Sequence, residues 1–393
     1  MPTTVSQSVA ERSDSSALWA LMLGNFVIAL GVLAPAGLVN ELTHSFSVSV
    51  PTVGTLIGYG ATLLCIEAPL LAFVTNRIDR RVLLVGALLL YAVGHLASAF
   101  APSFGALLAI RLVMIGGAAV FTPQAASAVG LFVEPQRRGA AVTFIFMGWS
   151  LASALGVPVA TLLAAHLGWS ATYMIIAAAC AAAVIGVAMT MPRQLKAPPL
   201  SVHAWKHVFG SAKILSILAV TAIALTGQFT VFPFVAAQLK TELGASPELI
   251  ALTLAMFGIA GVVGAGITGK GVDKLGAAAT VAVSLGAVIF GLLLWFLSLH
   301  SIVLAAASIF IWGLGFAPGN STQQARLIGA EPNLASASVA LNTSAIYLGQ
   351  AAGTFIGGQA ITMGSGHALG LIGAALVALA LAVSWFARMR FKA

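Results

Sequence analysis

The sequence predicts an all-α membrane protein of twelve transmembrane helices, arranged as two pseudo-symmetric six-helix bundles. Three observations lead there. The chain of 393 residues is 60% hydrophobic and only 7% charged, whereas soluble domains carry about 25% charged residues. Its apolar residues fall in runs long enough to cross a hydrocarbon core of about 30 Å, which takes roughly 20 residues as a helix. Its second half repeats features of its first at a constant offset.

The runs, in order, cover approximately 17–40, 51–75, 82–101, 104–131, 139–165, 169–191, 212–239, 248–269, 277–299, 301–325, 335–363 and 367–388. Residues 1–16 are polar and contain no apolar segment, so no cleavable signal peptide is expected and the first run serves as the insertion signal. The longest connection divides the chain into an N-terminal bundle (1–191), a linker (192–211) rich in proline and basic residues, and a C-terminal bundle (212–393). Of the 18 lysines and arginines, all but Lys240 and Arg111 fall on one face, in the turns after the even-numbered spans or at the termini. That asymmetry places both termini in the cytoplasm. The 41 glycines suit closely packed spanning helices. In span 8, Gly258, Gly261, Gly264, Gly266 and Gly269, and in span 11, Gly349, Gly353 and Gly357, mark packing or sliding faces. Pro158, two residues after Gly156, removes a backbone hydrogen bond and predicts a bend in span 5.

The turn after span 2 contains Ala72, Asn76, Arg77, Asp79, Arg80 and Arg81. Displaced by 197 residues, the turn after span 8 contains Gly269, Asp273, Lys274 and Gly276, and Gly156 falls on Gly353. Parallel repeats about an axis normal to the membrane are a transporter architecture. At these residues the chain resembles the major facilitator superfamily, in particular its bacterial twelve-span drug and sugar efflux branch of drug:proton antiporters. The family's turn has the form G-x-x-x-D-R-x-G-R-R. In the first turn both glycines and the aspartate are replaced, while the second turn keeps the pattern. Arg111, in R-L-V-M-I-G-G, matches the family's span 4 arginine, and Gly148…Gly156-Val157-Pro158 resembles its antiporter motif of span 5. Many relatives carry a glutamate in the middle of span 1, where this chain has Val32. The resemblance implies alternating access by rocking of the two bundles, often driven by protons. It also implies that the two turns, with Asn76, Arg77, Asp79, Arg80, Arg81, Asp273 and Lys274, act as gates.

Glu67 is the only acid deep in a span. It precedes Asn76 by nine residues, about 14 Å along a helix, near mid-depth of the bilayer. Intramembrane carboxylates are costly and usually functional. Glu67 is therefore expected to carry a proton or touch a polar substrate, the plainer reading being a neutral packing residue. Arg111 is the only base deep in a span and needs acceptors, since its charge cannot be removed. It either tunes a nearby carboxylate and substrate or pins helices through backbone carbonyls. Because the family lines its pathway with spans 1, 4, 7 and 10, the substrate candidates are Asn25, Gln124, Gln228, Phe232, Trp312, Asn320, Gln323 and Gln324. Amides and aromatics in an apolar cleft suit uncharged, partly polar ligands, and interhelical hydrogen bonding is the plainer reading of each. His95 in span 3 could titrate, the plainer reading being a hydrogen-bonded packing residue.

The net charge of +8 is scattered over short turns and forms no nucleic-acid surface. Cys65 and Cys180 form no redox or disulfide pattern. His203 and His207 lack acidic or thiol partners for a metal, and no phosphate-binding G-x-x-x-x-G-K-[ST] loop is present. No cofactor, metal or enzymatic activity is expected. The partners expected are a small-molecule substrate, protons and membrane lipid, for a monomer in the bacterial inner membrane. The function expected is secondary export by proton antiport, the alternatives being a uniporter or importer on the same fold and, less consistent with the few polar groups in the spans, a membrane sensor.

Overall fold

The structure is a computed structural model of the chain. It describes residues 4–75, 77–134, 136–195, 207–298, 300–331 and 334–391, with side chains from residue 15 onward apart from 72–73, 268–275 and 335–336. In the hydrocarbon region every backbone polar group must be satisfied within the chain, so long apolar runs become helices. The N-terminal half contains α1 (Thr4–Gly37), α2 (Val39–Phe46), α3 (Val50–Val74), α4 (Arg80–Ala99), α5 (Phe104–Phe132), α6 (Arg138–Leu151), α7 (Val157–Leu167) and α8 (Trp169–Thr190). The C-terminal half contains α9 (Ala212–Phe229), α10 (Val235–Leu243), α11 (Pro247–Leu275), α12 (Ala277–Leu297), α13 (Ile302–Ala330), α14 (Ala335–Thr362) and α15 (Leu369–Phe391).

The starts of these helices follow local chemistry. Side-chain oxygens of Ser49, Asp79, Ser103, Ser211 and Ser301 accept from the backbone N–H three residues on, capping α3, α4, α5, α9 and α13. Each satisfies one of the orphan donors of a first turn. The bend expected in span 5 is a π turn, Ala152–Gly156, between α6 and α7. It lies immediately before Pro158, which has no N–H with which to continue the α-helical ladder. Span 7 is likewise interrupted: a 3₁₀ turn, Phe232–Phe234, built around Pro233, separates α9 from α10. Span 1 ends at Gly37 and is followed by α2, a separate short helix.

Among the described residues, eleven helices are long and apolar enough to cross a membrane, where counting from sequence expects twelve. The difference is α14. It has 28 residues, but Asn342, Gln350 and Gln359, together with several serines and glycines, dilute its hydropathy. The two halves share one pattern of neighbours. In the first half α4 packs on α5 and α8, α3 on α5, and α1 on α6 and α8. In the second, α12 packs on α13 and α15, α11 on α13, and α9 on α14 and α15. Gly349, Gly353 and Gly357 seat α14 on α9 within the second half. A Cβ there would meet the carbonyl oxygens of Ala222, Thr226 and Thr230 at 2.4, 2.3 and 2.2 Å. They are a packing face, as expected of small residues at four-residue spacing.

The halves meet through α3 with α14, and through α7 and its π turn with α11. The side-chain contacts between them cluster at the end where spans 1, 5, 7 and 11 finish. Asn40 Nδ2 donates to Ala236 O at 3.1 Å, and His166 Nε2 lies 3.1 Å from Glu248 Oε1. Tyr59 packs edge-on against Phe355 with ring centroids 5.2 Å apart. Deeper, Gly258 of α11 lies directly on the backbone of Ala154. The chain termini and the turn after α3 lie at the opposite end.

Candidate functional site

Arg111 is 2% exposed and its guanidinium is committed to backbone. Nε donates to Leu56 O at 2.6 Å, and the two terminal nitrogens donate to Gly31 O at 3.0 Å and Val32 O at 2.9 Å. One side chain of α5 therefore ties α1 to α3. The planar fork of arginine meets the three carbonyls from three separate nitrogens, whereas a lysine would have to gather them around one. Of the two readings open from sequence, this is the geometry of the helix-pinning one.

Glu67 is half-buried in α3. Its Oε2 is enclosed and has no hydrogen-bond partner among the described residues, and it lies opposite Gly116 of α5. No ion pair joins it to Arg111. Among the described residues His166–Glu248 is the one pair of opposite charges within 4.0 Å. Leu56, which binds Arg111, precedes Glu67 by eleven residues, or about 16 Å of helix, so the two groups act at different depths.

The eight substrate candidates separate into two groups. Asn25 is fully buried and used on both sides, with Nδ2 donating to Ile145 O at 3.1 Å and Oδ1 accepting from Thr122 Oγ1 at 2.9 Å. Gln228 donates to Ala224 O and accepts from Trp312 Nε1 at 2.8 Å. Trp312 is enclosed by Phe232 and Phe257, with centroids 6.2 and 5.2 Å away. Gln323 donates to Ile217 O at 3.1 Å and to Thr221 Oγ1 at 3.3 Å, and accepts from Arg326 at 3.0 Å. These groups are spent on interhelical bonds. Asn320 donates within its own helix to Phe316 O, leaving its oxygen available. Gln124, 5% exposed, and the half-buried Gln324 have no described hydrogen-bond partner. Gln124 lies about 30 Å along α5 and Gln324 about 33 Å along α13, toward the end of the halves that carries the termini.

The turn after α3 is bonded to its own half and to the start of the linker. Arg80, 3% exposed, donates from its backbone N to Leu195 O at 2.9 Å and from its side chain to Thr75 O at 3.4 Å. Arg81 donates to Ala188 O. Asp79 Oδ1 caps α4 through Val82 N at 3.2 Å, and Arg77 is exposed. Asn76 and the side chains of Asp273 and Lys274 lie outside the described residues, as does His203.

Three features escaped the sequence. His95 is fully buried, yet neither ring nitrogen has a hydrogen-bond partner among the described residues, which corrects the expectation of a hydrogen-bonded histidine. Aromatic packing takes the place of that bond: Tyr91 meets the ring edge-on at 4.7 Å and Tyr173 stacks at 5.6 Å. Gln238 joins α10 to α12 by accepting from Trp295 Nε1 at 3.0 Å. Its partner is 57 residues away, so no local spacing marks the pair. At the closed end, Glu41 of α2 faces the charge of Lys240 across the halves, with Oε2 buried and without a described partner. Burial raises its carboxyl above the ordinary value of 4.5, a self-bond to its own backbone opposes that rise, and the Lys240 charge opposes it further.

No group of three or more histidine, cysteine, aspartate or glutamate side chains that could hold a metal occurs among the described residues.

A sequence profile of the Major Facilitator Superfamily matches residues 21–354. The chain is 25% identical over 372 residues to the MFS-type transporter YbcL of Bacillus subtilis (strain 168), covering 95% of each. It is 26% identical to the inner membrane transport protein YdhP of Escherichia coli (strain K12), covering 93% of this chain and 94% of that one. Among solved structures it resembles a bacterial homologue of the human lysosomal transporter Spinster, in an inward-facing and unoccupied conformation. That match has a TM-score of 0.75 at 16% identity and covers 97% and 98% of the two chains. It also resembles the nucleoside transporter NupG, with a TM-score of 0.77 at 13% identity over 94% and 99%. At such identities the structures establish the fold.

Proposed function

The chain belongs to the major facilitator superfamily, a family of secondary transporters of small molecules and not of enzymes, and from that premise we propose that it exports an uncharged or weakly polar organic molecule in exchange for protons. What supports this reading above all is Glu67, a carboxylate inside a spanning helix whose Oε2 is enclosed without a described partner. An ionisable side chain at that depth with no fixed partner is suited to exchanging a proton when water or a polar group reaches it. In this reading Arg111 does not touch substrate. It holds α1, α3 and α5 in one rigid unit, so that Glu67 moves with the N-terminal half. Gln124, Asn320 and Gln324 keep amide groups free for a polar ligand, while Asn25, Gln228, Phe232, Trp312 and Gln323 shape the walls behind them.

We read α14 as span 11, the one that completes the twelve, since it occupies in the second half the place that α6 and α7 hold in the first. The excess of basic residues in the turns at the terminal end supports a cytoplasmic location for both termini in a bacterial inner membrane, and on that reading the cluster of contacts at the far end corresponds to a conformation open to the cytoplasm. The charged turn after α3, bonded to its own half here, would engage the other half when the transporter opens outward. Purified protein in proteoliposomes, offered a panel of radiolabelled sugars and fluorescent drug-like compounds, tests the reading. An imposed pH gradient is expected to drive accumulation of at least one compound. A flux that only equilibrates, whatever the gradient, supports a uniporter and ends the antiport reading.

A further inference from the structure

We infer that the C-terminal half carries a binding site for an anionic phospholipid at the terminal ends of α12 and α15. A groove there is lined by Ala278 and Ala282 of α12 and by Ala378, Ser384, Trp385 and Arg388 of α15. Ser384 and Arg388 are one helical turn apart and so share a face. Behind them Arg326 of α13, 7% exposed, donates to Ser384 Oγ and to Gln323 Oε1, both at 3.0 Å. Ser384 thus lies between a buried arginine bonded to its hydroxyl and an exposed arginine lining the same groove, and neither is paired with a described carboxylate within 4.0 Å. Glu331, a described acid at the same end of α13, is taken up by Ser211, whose hydroxyl lies 2.6 Å away. A buried cation without a counter-charge is costly, and an anion seated on Ser384 and Arg388 would supply one.

The surroundings favour a lipid as the source of that anion. Ala278, Ala282, Ala378 and Ala382 make the groove floor beside Arg388 apolar, as an acyl chain requires. The residues around it face outward: Trp385 is 64%, Phe386 57%, Met389 55% and Val283 65% exposed. Tryptophan beside arginine at the end of a spanning helix is the composition of a headgroup-level belt. The first half provides a comparison. Displaced by 197 residues, Arg81, Val85 and Ala188 occupy the places of Ala278, Ala282 and Trp385 and line a similar groove between α4 and α8. There Asp79 lines the groove as well, and Arg81 already donates to Ala188 O. The first-half groove therefore contains its own acid, whereas no acid lines the second-half groove among the described residues.

The full chain in phosphatidylcholine vesicles, with a minor fraction of brominated phosphatidylglycerol or brominated phosphatidylcholine, tests the assignment. The fluorescence due to Trp385 is isolated by subtracting a Trp385→Phe variant. Brominated phosphatidylglycerol is expected to quench that fluorescence in preference to brominated phosphatidylcholine. Arg388→Gln is expected to reduce the preference about five-fold, the effect of one basic residue near an anionic surface, and Arg388→Lys to retain it. Arg388 is exposed, so neither variant disturbs the core. Equal quenching by the two lipids, or a preference undiminished in Arg388→Gln, overturns the site. Relief of the phosphatidylglycerol quenching by inorganic phosphate overturns the lipid as its occupant.

Discussion

Gly258→Ala should drive the two halves apart at the closed end. A Cβ on Gly258 would lie 2.2 Å from Ala154 Cα, 2.3 Å from Ala154 N and 2.5 Å from Ser153 C. All three are backbone atoms, so no rotamer change relieves the clash, and ordinary contact begins at 3.4 Å. One half must therefore shift by more than about 1 Å, at the overpacking cost of about 1–3 kcal/mol. Alanine also gains about 1 kcal/mol of helix propensity over glycine, but α11 is helical in both conformations and that gain cancels. The equilibrium between closed and separated ends should then move by roughly 5- to 150-fold. His166 and Glu248 report it, since their side chains touch at 3.1 Å across the halves. With Cys65→Ser and Cys180→Ala as background, His166→Cys and Glu248→Cys joined by a short bis-maleimide should cross-link readily, and adding Gly258→Ala should slow the reaction by a factor in that range. An unchanged cross-linking rate in a folded Gly258→Ala protein would refute the reasoning, because it would mean that this contact does not hold the halves together.

Three further outcomes follow from the same geometry. Arg111→Lys should lower the melting temperature by several degrees, because Gly31 O faces Pro35, which has no N–H to donate within α1, and losing the arginine bond leaves that carbonyl unpaired at about 1–3 kcal/mol. If the variant melts like the wild type, the pinning role is wrong. Trp312→Phe should cost a similar amount by orphaning Gln228 Oε1. Adding Gln228→Leu should recover part of the loss, because removing both partners of a buried bond is cheaper than removing one. Strictly additive losses would contradict the pairing. For Glu41 the sign is fixed by its raised carboxyl. The folded protein holds this proton more tightly than the unfolded chain, so its contribution is fully present at low pH and is lost as pH rises from 4.5 through the raised value. Wild type should therefore lose stability relative to Glu41→Gln across that window, and a difference in melting temperature that stays flat with pH would show that the side chain is not desolvated.

Much of the fold is legible in the sequence, because the bilayer imposes the rule that apolar length makes a helix. The repeat at 197 residues is visible for the same reason, as is the shared neighbour pattern it encodes. What is not legible turns on individual polar groups. α14 has the length of a span but a polar composition, because Asn342 bonds Thr221 at 2.8 Å inside the second half. Arg111 reads from the sequence as a coupling cation before it reads as a pin, and its three carbonyl partners favour the pin. Asn25 and Gln228 read as pathway amides, yet their partners lie 120 and 84 residues away, beyond any local pattern. Glu67 is the reverse case. Its oddity is plain in the sequence, and the fold leaves it unpaired among the described residues.

Glu67→Gln in proteoliposomes is the measurement closest to the proposed coupling. With a transported compound in hand, the variant should still exchange labelled for unlabelled compound across the membrane, because its helices and cavity are intact. It should fail to accumulate the compound against its gradient when a pH difference is imposed, because the amide cannot carry the proton. Accumulation equal to wild type would contradict the account and remove Glu67 from the coupling.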